Sequence, residues 1–215
     1  MSQTSALRVE LIDFDSVKLV EGRYPLEIVE IRESDGFFLN RQFTSDFRIR
    51  KTIYEMMQAA QKKLPDNYYF MVYEAYRPLA RQIALWNMAT DYINKEYPDA
   101  TPQQKRDMAE TFVADPYNGI GSGHQACCAI DISLCDKSGK EYDMGTACQE
   151  ISPLSNTYAE GLGSEAIKNR KILIEALEGE GFINYSSEWW HFSYGDHQWA
   201  YLKGVGEAFF GPIDI

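Results

Sequence analysis

Ile49, Ile53, Met56, Met57 and Ala60 recur at the spacing of one helix face. Ser45 and Asp46 precede them as candidate caps and Pro65 follows, so a first helix is predicted from near Ser45 to just before Pro65. Asn67 to Glu74 (NYYFMVYE) is dense in Tyr, Phe and Val and predicts a strand. A second helix is predicted from Pro78 to about Lys95. A third starts at Thr101-Pro102, where Gln104 completes a capping box. Residues 127–135 predict a strand, and Asp136-Lys-Ser-Gly139 the turn of a hairpin. A long helix is expected from Ser164 to Glu178, stopped by Gly179 and Gly181. Short strands are expected near 182–185 and 189–194. Residues 1–44 look irregular, with short strands at Val17–Val20 and Leu26–Ile31. Strands and helices do not alternate regularly. The pattern therefore predicts an α+β fold: a central antiparallel sheet with helices packed around it. There is no repeat and no low-complexity linker, so residues 1–215 read as one domain, with 1–20 peripheral.

Charge narrows the partners. Lys and Arg total 21 against 32 Asp and Glu, a net charge of −11. That balance argues against nucleic acid and anionic polymers, which need a basic stripe. A small neutral substrate or a cation stays open. No apolar run approaches the ~18–20 residues of a membrane span. The first residues carry acids and lack a basic-then-apolar leader pattern, so a cytoplasmic location is expected. The four cysteines, 127, 128, 135 and 148, form no C-x-x-C pair. Reduced thiols acting as small core fillers are the expected state. Oligomeric state is not legible.

The chemistry concentrates in two segments. One is Ser122-Gly-His124-Gln-Ala-Cys-Cys-Ala-Ile-Asp131, the other Glu188-Trp-Trp-His191. In a strand over 127–135, Cys128, Ile130, Ile132 and Leu134 form a core face, and Asp131 projects from the opposite face toward a cleft. His124, an odd number of residues earlier, belongs to the Gly-rich loop leading in, and Gly121 and Gly123 let it curl back. Glu188 and His191 would point to opposite faces of a regular strand, so Glu188 is expected in a tight turn and His191 on the strand. Two imidazoles and one carboxylate suit a catalytic zinc with one position left for water. A further carboxylate, Glu188, can move the water's proton. Arg77, restricted by Pro78 and set at a strand end, is the candidate donor to a developing oxyanion. Each residue also has a plain reading: His124, Asp131, Glu188 and His191 as ordinary polar residues, Trp189-Trp190 as core, Arg77 as an ion-pair partner of Glu74 or Asp131. His197, between Asp196 and Gln198, carries no metal signal.

In combination, Tyr76-Arg77-Pro78, Ser122-x-His124-x(6)-Asp131 and Glu188-x-Trp190-His191 resemble the D-alanyl-D-alanine dipeptidases of the vancomycin-resistance type. The resemblance covers roughly residues 20–195 and includes Met144-Gly145-Thr146. It implies a fold shared with hedgehog-type and lysostaphin-type zinc domains. It implies one zinc held by His124, Asp131 and His191, with Glu188 as general base and acid. It implies transition-state stabilisation by Arg77, substrate contact by Ser122, and hydrolysis of D-Ala-D-Ala to two D-alanines. A closed pocket admitting only dipeptides is a trait of the family.

The departures are local. Cys127 stands where the family usually has Gly, and Glu74 where it has Asp. Cys148-Gln149 replace a Phe-Asp pair whose Asp helps receive the substrate's ammonium group. Gln149 offers an uncharged amide there, with Glu150 next to it. The expectation is a zinc dipeptidase acting on D-Ala-D-Ala or a closely related dipeptide. The alternatives are a peptidoglycan D,D- or L,D-carboxypeptidase or amidase-like hydrolase on the same fold, or a zinc-bearing binding domain without turnover.

Overall fold

In the computed structural model, residue 13 and residues 16–215 are described. Five short segments precede the centre of the fold: β1 (Lys18–Leu19), β2 (Ile28–Glu30), β3 (Phe38–Leu39), β4 (Arg48–Arg50) and helix α1 (Lys51–Gln61). Strand β5 (Tyr69–Glu74) leads to the helical pair α2 (Leu79–Glu96) and α3 (Pro102–Glu110). Then come β6 (Ala129–Cys135), α4 (Ser164–Glu178), β7 (Ile183–Asn184), β8 (His191–Ser193), α5 (His197–Lys203) and β9 (Glu207–Ala208). This is an α+β architecture. The main sheet has the order β3-β5-β6-β8-β7, antiparallel throughout except for the parallel β3–β5 pair.

β6 is the central strand, and all seven of its residues are buried. Its alternation is therefore invisible in exposure: Ile130, Ile132 and Leu134 join the apolar core, while Asp131 and Ser133 are buried on the other face. That face is enclosed rather than open to a cleft, because Gln149 and its loop lie against Asp131. The β5–β6 ladder shifts between Val72 and Glu74, leaving Tyr73 as the extra residue. Such a bulge re-aims the side chain that follows it. Here it sets Glu74 opposite Asp131, and Asp131 is in turn opposite His191 on β8.

Several local signals are realised as read. The Thr101/Gln104 capping box forms in both directions. Helix α4 spans Ser164–Glu178. The Asp136–Gly139 turn closes with the Gly139 N–H on the Asp136 carbonyl at 2.9 Å. Others are displaced. Helix α1 begins at Lys51, because residues 48–50 instead pair with β2. Ile49 is buried from that strand, and Asp46 caps nothing: its carboxylate folds back onto the backbone and guanidinium of Arg48. The strand read at 127–135 starts at 129, since Cys127 turns with φ 53°. Residues 67–68 stay outside β5, with Asn67 at φ 71°. Three elements were not anticipated, β3, α5 and β9. β3 is only two residues long. α5 follows Asp196, whose Oδ1 accepts the Trp199 N–H at 2.7 Å, and ends at Gly204 with φ 64°.

Both apolar clusters follow this layout. The large one fills the space between the sheet, α1 and α4. A smaller one, Trp86, Ile93 and Ala109, joins α2 to α3. No helix among the described residues is long and apolar enough to cross a membrane. All four cysteines are free thiols. Val17 is buried and β1 pairs in parallel with β9, so the chain from residue 17 onward is built into the body rather than peripheral to it. Residues 1–12, 14 and 15 lie outside the described set.

Arg170 on α4 fixes the long loop that follows β6. It is buried, and its guanidinium donates to the carbonyls of Met144, Leu154, Asn156 and Thr157 at 2.6–3.2 Å. Burial lowers its pKa to about 10. Arg170→Met removes these donors from buried carbonyls, each worth about 1–3 kcal/mol when left unpartnered. The expected loss is about 3 kcal/mol or more in urea unfolding, with faster proteolytic cutting between residues 143 and 163.

Candidate metal centre

The site forms where three adjacent strands place polar residues in one row. Asp131, from the centre of the sheet, is 2% exposed. Its Oδ1 lies 3.0 Å from His191 Nδ1 and 3.2 Å from His124 Nε2. The two imidazole nitrogens are themselves 3.2 Å apart. His191 is the first residue of β8. His124 arrives from the loop before β6, as its offset from Asp131 predicted. Two glycines let that loop turn, for different reasons. Gly121 takes φ 76°. Gly123 is needed for close approach, since a Cβ there would run into Asp196 Oδ2 and the Ala129 Cβ.

Glu188 sits in a tight turn, half-buried. Its N–H donates to the Tyr185 carbonyl at 2.9 Å, and its carbonyl accepts from the His191 N–H at 3.2 Å. Asn184 holds this turn by donating to the carbonyls of Glu188 and His191, both at 3.0 Å. Trp189 and Trp190 are buried in the core in edge-to-face contact, centroids 5.4 Å apart, which is the packing reading of that pair.

Arg77 lies three residues beyond the end of β5. Its Nη2 donates to Glu74 Oε2 at 2.7 Å and stands 3.6 Å from Asp131 Oδ2, while Nη1 donates to Gln82 at 3.0 Å. Both ion pairs weighed for Arg77 thus exist together. Arg81 binds the other oxygen of Glu74 at 2.7 Å. Gln149 completes the network through its amide nitrogen, 2.7 Å from Asp131 Oδ2 and 2.9 Å from Glu74 Oε2. Ser122 is engaged locally: its Oγ accepts the Gln125 N–H at 3.2 Å. Arg81, Gln82 and Asn184 were missed from the sequence. Arg81 and Gln82 lie one turn beyond Tyr-Arg-Pro, on the helix face that Pro78 starts, and that spacing was a usable signal. Nothing in the sequence marks Asn184.

Three carboxylates in this small volume have different acidities. Burial opposes the ionisation of Glu74, but Arg77 outweighs it and brings the pKa to about 2. Burial also opposes Asp131, yet the facing His124 and His191 hold it well below the ordinary range. For Glu188 burial prevails and raises the pKa to about 7, despite the opposing pull of His191 and Arg77.

The donor set fits a divalent cation. His124 Nδ1 is 2.8 Å from the Ala75 carbonyl and donates to it, so a ring that has given up its other proton, as a metal ligand must, presents only a lone pair at Nε2. That nitrogen faces Asp131 Oδ1 at 3.2 Å, so the two donor atoms converge on one point. A ring nitrogen bound to a backbone carbonyl is the usual support of a metal-ligating histidine. One ligand atom each from His124, Asp131 and His191 lies within 4.8 Å of the others, and all three residues are buried. His197, at the start of α5, is not part of this group.

An α+β sheet that focuses two imidazoles and a carboxylate on one point, beside a carboxyl group poised near neutrality, defines a metal-centre protein with the parts of a hydrolase. Comparison with known proteins is consistent with that class. A family profile described as D-ala-D-ala dipeptidase matches residues 46–208, and the chain belongs to this family. It is 34% identical over 122 residues to the D-alanyl-D-alanine dipeptidase of Escherichia coli, covering 57% of this chain and 53% of that one. The chain thus spans about half the length of that relative. It is 28% identical over 185 residues to the D-alanyl-D-alanine dipeptidase of a Synechocystis species, covering 74% of each. Among solved structures, VanYB in complex with D-alanine-D-alanine overlaps at a TM-score of 0.46 and 21% identity, covering 85% of this chain and 86% of that one.

Glu188 generates a prediction. With a pKa of about 7 in the metal-free protein, it is about half protonated at pH 7. A cation at the histidines favours its ionised form, so its pKa falls and a proton leaves. Zinc added at pH 7 should release up to about half a proton more from wild type than from Glu188→Gln, read with an indicator dye in weak buffer.

Proposed function

We propose that the protein is a zinc-dependent dipeptidase hydrolysing D-Ala-D-Ala or a closely related small dipeptide. The observation that carries this reading is the convergence of His124 Nε2, Asp131 Oδ1 and His191 Nδ1 beside the Glu188 turn. Nitrogen and carboxylate donors in this number suit zinc. The names of the curated relatives supply the substrate class. Enclosure of the site by the Gln149 loop supports a short substrate over a long peptide stem, and so favours a dipeptidase over a carboxypeptidase. A carboxyl group held near neutrality favours turnover over a binding domain, which needs no proton carrier.

His124, Asp131 and His191 would hold the ion. When bound, it would supply Lewis-acid polarisation of the scissile carbonyl and make the attacking water more acidic. Glu188 takes the proton of that water, then delivers it to the departing amine. Ionised beside a bound cation, Glu188 is ready to accept that proton, and the burial that opposes its charge favours carrying it to the amine. Arg77 keeps its charge at any working pH, because Glu74, Asp131 and Glu188 together outweigh the cost of its burial. Glu74 and Gln82 fix the guanidinium, and it donates to the oxygen on which negative charge develops. Ser122 contacts the substrate, and Gln149 can reach it only through its amide oxygen, since its nitrogen is held by Asp131 and Glu74. Four free thiols support a reducing cytoplasmic location, and the chain acts as one domain.

Offered D,D-, L,D- and L,L-dipeptides, the zinc-loaded protein should release D-alanine from D-Ala-D-Ala. Cleavage of only the others would overturn the substrate and leave the hydrolase. Glu188→Gln should keep about one zinc per chain and lose about 10²–10⁴-fold in kcat. Less than about half an equivalent of zinc in the reconstituted wild type would overturn the ligand assignment.

A further inference from the structure

Gln149 lies in the left-handed region at φ 62° and follows the buried Cys148. Its amide nitrogen carries two hydrogens. Both are committed to carboxylates: one to Asp131 Oδ2 at 2.7 Å, the other to Glu74 Oε2 at 2.9 Å. Arg77 Nη2 approaches the same Asp131 oxygen at 3.6 Å. The other oxygen, Oδ1, faces His191 and His124 at 3.0 and 3.2 Å. The two oxygens of Asp131 are therefore divided. One looks into the ligand cluster, and the other is tied back by an uncharged amide.

We propose that Gln149 is a positioning residue that makes Asp131 a one-oxygen ligand, by holding Oδ2 out of the metal's reach. The inference rests on the metal reading above. An amide suits this place for a second reason. Glu74 and Asp131 are register partners, and each turns a carboxylate oxygen toward the Gln149 amide nitrogen. Bridging them requires two N–H groups from one atom and no added negative charge. A carboxylate at 149 would offer only acceptors to two acceptors. A thioether of the same length would fill the space and donate nothing. In either case Oδ2 loses its restraint and can swing toward the ion, which then takes both oxygens.

Cobalt(II) is the probe, because its visible absorption is strong with four ligands and weakens when a further oxygen joins. The full chain is loaded with cobalt as wild type, Gln149→Met and Gln149→Glu. Both variants should show a weaker, shifted visible band. Gln149→Met should also bind cobalt about 10–100-fold more weakly, the usual effect of removing a ligand's outer partner. Thermal melting of the metal-free proteins separates this from misfolding: a positioning role leaves the apo melting temperature of at least one variant near that of wild type. A folded variant whose spectrum superimposes on wild type overturns the proposal and leaves the metal centre intact. Failure of wild type itself to bind cobalt overturns the metal centre, and the role of Gln149 with it.

Discussion

Everything at this site depends on one buried carboxylate. Asp131 sits at the middle of the central strand, 2% exposed, where an ionised group without partners would cost several kcal/mol. Four side chains converge on it, His124 and His191 at Oδ1 and Gln149 and Arg77 at Oδ2, the last two as donors. Each comes from a different part of the chain. The Gly-rich loop brings His124, β8 brings His191, the segment after β5 brings Arg77, and the loop between β6 and α4 brings Gln149. Satisfying one charge at the core of the sheet thus fixes the relative positions of four segments that share no local sequence.

The same surroundings separate the acidities of the three carboxylates. Glu74 has two arginines and an amide on its oxygens and titrates at about 2. Asp131 has two imidazoles and stays ionised. Glu188 has no hydrogen-bonded cation in its turn and rises to about 7. Groups of one chemical type, close enough to feel one another's charge in environments that push their pKa values in opposite directions, are the mark of divided acid–base roles. Two of these are fixed charges that order the site. The third is free to gain and lose a proton.

What could be read in the sequence follows from how local its cause is. The α4 limits, the Thr101/Gln104 box and the hairpin turn each depend on residues within one or two turns of chain, and each was legible. The α1 start was misplaced because Ile49 fits a helix face and a strand equally well, and only the distant β2 decides between them. Within the site, the loop placement of His124 and the turn at Glu188 followed from parity arguments on a strand. Glu74 was legible as a departure and as an ion-pair partner for Arg77, but not as the neighbour of Asp131. Its place opposite Asp131 depends on a bulge at Tyr73, and one extra residue in a ladder leaves no mark in a hydrophobic pattern.

The departures at Cys127 and Gln149 also have a common physical basis. Both are non-glycine residues at positive φ, 53° and 62°. Such conformations cost about 1–2 kcal/mol each and persist only where the surroundings over-determine them. Two buried arginines that bind carbonyls rather than carboxylates provide that constraint. The Arg50 Nε holds the Ala126 carbonyl at 2.7 Å, and its backbone N–H holds that of Cys127 at 3.0 Å. Arg170 gathers the carbonyls on both sides of the 149 loop. A guanidinium can hold several backbone carbonyls in a fixed fork, which a lysine cannot. The strained residues can therefore stand beside the ligand cluster without glycine's freedom, because each loop is anchored from outside the site.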